Sequence, residues 1–182
     1  MKTRSNGPQA RSQLIVRSLS AGAPRGIVAC GALRFPCALG RSGRRTGKRE
    51  GDGATPSGRF ALREVLYRGD RLRRPRSPLP VVALKIDDGW CDDACDRNYN
   101  RRVRHPYPAS AERLWRDDHL YDLIVVIGYN DGPRIKGRGS AIFMHVASPG
   151  FKPTQGCIAL ERSHLLRLIE HASRGAEITI LP

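Results

Sequence analysis

The chain has 182 residues, enough for one domain with a sizeable core and cramped for two. Apolar residues make up 40% of it, and no apolar run approaches the roughly 18 residues of a membrane span, so a globular domain without a transmembrane helix is expected. A total of 32 Lys and Arg against 17 Asp and Glu gives a formal charge of +15, a field that selects polyanions by sign alone: nucleic acid, anionic lipid or an acidic wall polymer.

Residues 1–12 are polar, carry Gly and Pro, and read as a loose tail ahead of a catalytic-sized domain over 13–182. Lys2 and Arg4 could begin a secretory signal, but Arg17 and Arg25 break the apolar stretch such a signal needs, so no signal peptide is read. Residues 13–19 (QLIVRSL) read as a strand, and 26–43 as two strands around a turn. A long loop dense in Gly and charge covers 44–60, and a strand resumes at FALREVLY. Residues 68–80 form a Pro-broken loop, VVALKI is strand-like, and 87–100 (DDGWCDDACDRNYN) is a polar insertion with embedded aromatics. SAERLW (110–115) reads as a short helix capped by Ser110. Two strands follow, YDLIVVIGYN and SAIFMHVA, separated by a Gly-rich turn. The clearest helix is SHLLRLIEHASRG (163–175), with Ser163 as cap, Leu165, Leu166, Leu168 and Ile169 as its apolar stripe and Gly175 as its stop. EITIL closes as a strand. The fold class expected is mainly β: a sandwich with a packed C-terminal helix and a short additional helix.

The reactive residues concentrate in GSAIFMHVASPGFKPTQGCIAL, which sets His145 and Cys157 12 positions apart. Period-2 alternation puts Ile142, Met144 and Val146 on one face of the strand and Phe143 and His145 on the other. Two prolines and a glycine between them let the chain return, and Gly156 lets the backbone before Cys157 approach a substrate closely. A thiol nucleophile needs a base and oxyanion donors, which His145 and the amides of this turn can supply. Taken alone, the pair reads more readily as an inert buried cysteine and a hydrogen-bonded strand histidine than as a catalytic pair.

Two blocks extend the reading. H-x11-C with Thr-x-Gly-Cys-Ile resembles the catalytic signature of YkuD-type L,D-transpeptidases, and KREGDGATPSGRF (48–60) resembles the Gly-Asp…Thr-Pro-x-Gly-x-Phe segment of the same family. With LIVVIGYN and the helix after Cys157, the resemblance runs from about residue 13 to the end. It implies Cys157 as nucleophile, His145 as base, the Gly156 and Cys157 amides as oxyanion donors, and the Val146 carbonyl as the group orienting the imidazole. It also implies no cofactor, peptidoglycan stem peptides as partners, and a periplasmic or cell-envelope location. Three departures stand out: Gln155 replaces the usual His, Ala159 and Leu160 replace the usual Arg or Asn, and the His-to-Cys loop is short. Together with GWCDDACDRNYNRRV they resemble the compact alpha- and betaproteobacterial branch, which is associated with crosslinks from L-Ala to meso-diaminopimelate.

On that resemblance, residues 90–99 are the expected cover of the cleft: Trp90 and Tyr99 as apolar faces, Asp92 and Asp93 for an ammonium, Arg97 for a carboxylate, with Asn98 beside them. Tyr129, Thr154 and Gln155 complete the expected substrate contacts. The plainer reading of 90–99 is a polar surface loop with ordinary ion pairs. Cys91, Cys95 and His105 lack a fourth ligand at zinc spacing, so no metal is expected. Disulfides between Cys91 and Cys95, or Cys30 and Cys37, stay open. SGRRTGKRE fails as a P-loop, with Ser42 where Gly is required and Arg49 after Lys48. Within the enzyme class, hydrolysis as an L,D-carboxypeptidase or endopeptidase would use the same Cys157–His145 site; against the acyltransferase stands one reading of another class, an anionic-surface or nucleic-acid binding module using the arginine loops 41–49 and 68–76. No recognition motif supports that reading, and no nucleic-acid partner is expected.

Overall fold

Short alternating apolar runs build most of this protein, and the computed structural model shows how they pair over residues 13–182, the residues described. The tail expected over 1–12 lies outside them. In chain order the elements are β1 (Gln13–Ser18), β2 (Arg25–Cys30), β3 (Leu33–Ala38), β4 (Arg44–Arg45), β5 (Thr55–Pro56), β6 (Gly58–Tyr67), β7 (Val81–Ala83), β8 (Asp88–Cys91), β9 (Arg102–Arg104), β10 (Ala111–Arg113), β11 (Leu123–Ile127), β12 (Phe143–Val146), β13 (Ile158–Leu160), α1 (Arg162–His171) and β14 (Glu177–Ile180).

Nine strands form one sheet in the order β11-β12-β13-β3-β2-β1-β14-β6-β7, and a further pairing of β6 with β11 closes it on itself. The ten-residue β6 makes closure possible. Its first half, Gly58 to Ala61, pairs with β14, and its second half, Leu62 to Tyr67, pairs with β11. Two further sheets are small: β10-β8-β9, and β4-β5.

Period-2 side chains sort into two cores. Leu14, Val16, Val28, Val65, Val125, Met144, Ile158 and Ile178 point into the closed sheet, where α1 adds Leu165, Leu168 and Ile169. On the outer face, Leu66, Ile124, Val126 and Phe143 pack with Trp90, Leu114 and Tyr121 from the 84–121 excursion. β11 is therefore buried on both faces, which is why LIVVI is continuously apolar.

Two local expectations are corrected. Residues 110–115 are not a helix: Ala111–Arg113 is a three-residue strand whose Glu112 stands opposite Trp90 of β8, so cross-strand pairing overrides a helix-like composition. α1 is thus the single helix among the described residues. Its N-cap is Glu161, which makes no side-chain cap bond, and Ser163 lies inside the first turn with its hydroxyl on Glu161. The helix stops at His171, and Gly175 serves the turn that follows, at φ +74°.

Candidate active site

β12 and β13 run parallel in adjacent positions, with His145 opposite Ala159. That pairing returns the chain so that His145 and Cys157 line the same cleft. The alternation holds: Ile142 and Met144 enter the inner core, while Phe143 packs with Cys157 in the outer one.

The turn before Cys157 is fixed by its own hydrogen bonds. The Thr154 hydroxyl accepts the Gly156 N–H at 3.1 Å and donates to the Cys157 carbonyl at 2.7 Å. Residues 40–55 buttress it from outside. Arg41 N–H donates to the Thr154 carbonyl at 2.8 Å, and Thr154 N–H to the Leu39 carbonyl at 2.9 Å. Gly156 has φ +134°, and a Cβ there would sit 2.8 Å from the Ala54 carbonyl oxygen, so the position requires glycine twice over. The 46–54 loop is itself braced by Lys48, whose Nζ lies 2.8 Å from Asp52 Oδ1.

His145 is buried, and its Nδ1 lies 2.8 Å from the Val146 carbonyl. Nδ1 therefore carries the proton and donates, which leaves the Nε2 lone pair as the basic site. The Tyr121 ring meets the imidazole edge-on at 5.3 Å, and its hydroxyl donates to Glu112 at 2.7 Å. Burial pulls the His145 pKa down to about 4, only partly offset by the Val146 carbonyl. Burial also pushes the Cys157 thiol up to about 12, and the Glu112 carboxylate raises it further, against lowering by the Phe143 N–H and Lys48. At neutral pH the resting pair is a thiol and a neutral imidazole. The thiol donates to the Ala141 carbonyl at 3.2 Å and accepts from the Phe143 N–H at 3.4 Å, so it is parked on backbone groups.

The cleft has a volume of ≈ 570 Å³. Its lining carries charges of both signs, Asp92, Glu112, Arg116, Lys48 and Lys152, together with Thr154 and Gln155. Such a site offers a thiol, a base with a free lone pair and charges of both signs.

The sequence profile of the L,D-transpeptidase catalytic domain, YkuD, matches residues 30–180. The chain belongs to that family. A search of curated proteins gave no match. Among solved structures, this YkuD domain is similar to L,D-transpeptidase 1 of Mycobacterium tuberculosis, with 12% identity and a TM-score of 0.43 over 94% of this chain and 60% of that one. It is likewise similar to an L,D-transpeptidase from Mycobacterium smegmatis, with 12% identity and a TM-score of 0.42 over 94% of this chain and 59% of that one. The chain thus spans about 60% of the length of these structures. Among the described residues, no helix of the YkuD domain is long and apolar enough to cross a membrane.

Of the residues singled out in the sequence, the cleft gathers Cys157, His145, Asp92, Thr154 and Gln155, with Gly156 forming the turn beneath. Asp92 Oδ1 is buried there without a hydrogen-bond partner. The others lie elsewhere. Trp90 is buried, donates to Asn100 Oδ1 at 2.9 Å and meets Phe143 edge-on, so its face is core and not cover. Tyr99 is buried too, with its hydroxyl on Glu50 and accepting from the Gly139 N–H. Asp93 accepts from the Cys95 N–H, and Asn98 donates to the Tyr107 hydroxyl. Arg97 lines a separate hollow beside Arg101 and Lys136, and Tyr129 packs on Phe60 with its hydroxyl on the Arg138 carbonyl. All five cysteines, including Cys30, Cys37, Cys91 and Cys95, are free thiols.

Lys48, Glu112, Arg116 and Tyr121 also line the cleft and were not singled out. Lys48 had a signal, its i,i+4 spacing to Asp52 inside the 48–60 block. Glu112 had none, because its direction depends on the β8–β10 pairing.

Proposed function

We propose that this domain is a peptidoglycan L,D-transpeptidase working through a Cys157 thioester. The observation that carries the reading is the placing of Cys157 and His145 in one cleft, with His145 Nδ1 bound to the Val146 carbonyl and Nε2 left to take a proton. The thiol leaves Ala141 and passes its proton to Nε2 as Sγ attacks the donor carbonyl. The tetrahedral oxyanion is met by the Cys157 amide, since the Gly156 N–H is already held by the Thr154 hydroxyl. The C–N bond breaks, His145 returns the proton to the departing amine, and the acyl group stays on sulfur as a thioester. A second stem-peptide amine, deprotonated by His145, then attacks the thioester and restores the thiol. Burial keeps both groups neutral at rest.

The acceptor is the side-chain amine of diaminopimelate, with Asp92 as the cleft carboxylate for an ammonium, and the donor is cut after L-Ala. Gln155 in the Cys157 turn, the short His145–Cys157 loop and the covering 84–121 excursion support this linkage. The place of action is the periplasm. Incubation with purified tetrapeptide muropeptides and tandem mass spectrometry tests both levels. Wild-type protein should yield dimers joined from L-Ala to diaminopimelate, and Cys157→Ala should yield none while remaining folded. Turnover by Cys157→Ala would refute the thiol mechanism; dimers joined only through two diaminopimelates, with release of D-Ala, would refute the linkage alone.

A further inference from the structure

Lys48 is a charged side chain that is only 2% exposed, yet it borders the cleft. A buried ammonium needs a fixed counter-charge, and Asp52 Oδ1 supplies it at 2.8 Å. Asp52 is pinned in turn by the Arg49 N–H at 2.8 Å and the Ala54 N–H at 2.9 Å. The Arg49 carbonyl accepts a second Lys48 N–H at 3.3 Å, and no third acceptor is present among the described residues. The remaining N–H belongs to an ammonium standing against the Cys157 turn: a Cβ on Gly156 would lie 3.3 Å from Nζ, and one on Gly139 would lie 2.9 Å from Cε.

A loop brace alone does not need this placement, since a solvent-exposed i,i+4 pair would avoid the desolvation cost of burying the ammonium. Here the cation sits beside the Gly156 backbone in the low-dielectric wall of the cleft, where a fixed charge acts strongly and needs no rearrangement during reaction. We propose that Lys48 is the electrostatic partner of Cys157: held by Asp52 against Gly156, its ammonium stabilises the negative charge that forms first on Sγ and then on the carbonyl oxygen of the tetrahedral adduct. The role rests on Cys157 being the nucleophile. The other charged or titratable groups lining the cleft are Glu50, Asp92, Glu112, Arg116, Tyr121, His145 and Lys152; Glu112 opposes a thiolate at Cys157 and Lys48 favours it. The proton leaving sulfur goes to His145, and Lys48 transfers none.

The test reads the thiol and not turnover. The full chain is alkylated with iodoacetamide over a pH series, and modification at Cys157 is followed by mass mapping of its peptide, which separates it from exposed Cys95. Well below the thiol midpoint the rate is proportional to the thiolate fraction. Lys48→Met should slow Cys157 alkylation about tenfold at fixed pH, one unit of thiol pKa, and Lys48→Arg should restore most of it. Where Lys48→Met melts below the assay temperature, Lys48→Gln takes its place under the same criterion. A folded neutral variant with an unshifted rate profile overturns the proposal, including the case in which both variants only lower the melting temperature. Failure of Cys157→Ala to abolish turnover is a separate result and would sink the thiol mechanism instead.

Discussion

Gly156→Ala should be among the most damaging single-methyl changes available in this protein. The residue sits at φ +134°, where an L side chain is strained, at a cost of about 1–3 kcal/mol. The added Cβ meets the Ala54 carbonyl oxygen at 2.8 Å, Lys48 Nζ at 3.3 Å and Ile142 Cδ1 at 3.4 Å. The first of these cannot easily yield. Ala54 is fully buried, the next residue's N–H is bonded to the Gly43 carbonyl at 2.9 Å, and its hydroxyl accepts the Gly40 N–H at 2.8 Å. Overpacking of that kind adds about 1–3 kcal/mol, so the total loss is about 2–6 kcal/mol. At roughly 2–4 °C per kcal/mol for a chain of this size, a central loss of about 4 kcal/mol lowers Tm by roughly 8–16 °C. Gly150→Ala is the matched control: φ is +75° but nothing lies within 4 Å of its Cβ, so only conformational strain of about 1–2 kcal/mol remains. Thermal and urea unfolding of both variants measures the difference. A Gly156→Ala protein as stable as Gly150→Ala, with wild-type alkylation at Cys157, would refute the argument that Ala54 fixes this turn.

Asn100 joins three segments: its Oδ1 accepts from Trp90 Nε1 and the Ala141 N–H, and its Nδ2 donates to the Tyr129 and Asn130 carbonyls. Asn100→Ala should cost about 2–4 kcal/mol in urea unfolding and, by loosening Ala141, alter the Cys157 alkylation rate; an unchanged rate would separate the hub from the thiol. Burial raises the Glu112 carboxyl above its ordinary value, so the folded state holds that proton more tightly. Its stabilising contribution is complete below the unfolded glutamate pKa and is lost as pH rises through the raised value. Glu112→Gln should therefore flatten a decline in Tm on going from acid to neutral pH, and an equal slope in both proteins would refute the assignment. A carbapenem offers a strained carbonyl to the thiolate. Intact-mass measurement should show one adduct, mapped to the peptide around Gly156, and an unmodified protein after prolonged excess would count against an accessible nucleophile.

The inner core was largely legible in the sequence because period-2 patterning is a local property. The runs at 13–19, 26–43, 123–128 and 141–147 fall on strands, and the opposed faces of Met144 and His145 follow directly. Closure of the sheet was not legible, because the pairing of β6 with β11 links residues about sixty positions apart and leaves no local mark. The same limit applies to the 84–121 excursion. Nothing in a polar segment tells whether Trp90 and Tyr99 face a ligand or the core, and here the outer face of the sheet claims Trp90 while Glu50 claims Tyr99. Asp92 and Glu112 reach the cleft through strand pairing, as the misread 110–115 segment shows.

β14 occupies an interior place in the closed sheet, parallel to β1 on one side and antiparallel to β6 on the other. It is also the last strand of the domain in chain order. Until Glu177 to Ile180 are synthesised, β1 and β6 each present an unpaired row of amides and carbonyls, and the inner core lacks Ile178 and Ile180. Until then the nascent domain carries two open edges that invite pairing with other chains. A stop codon ahead of residue 177 should therefore give aggregation and not a slightly weakened enzyme.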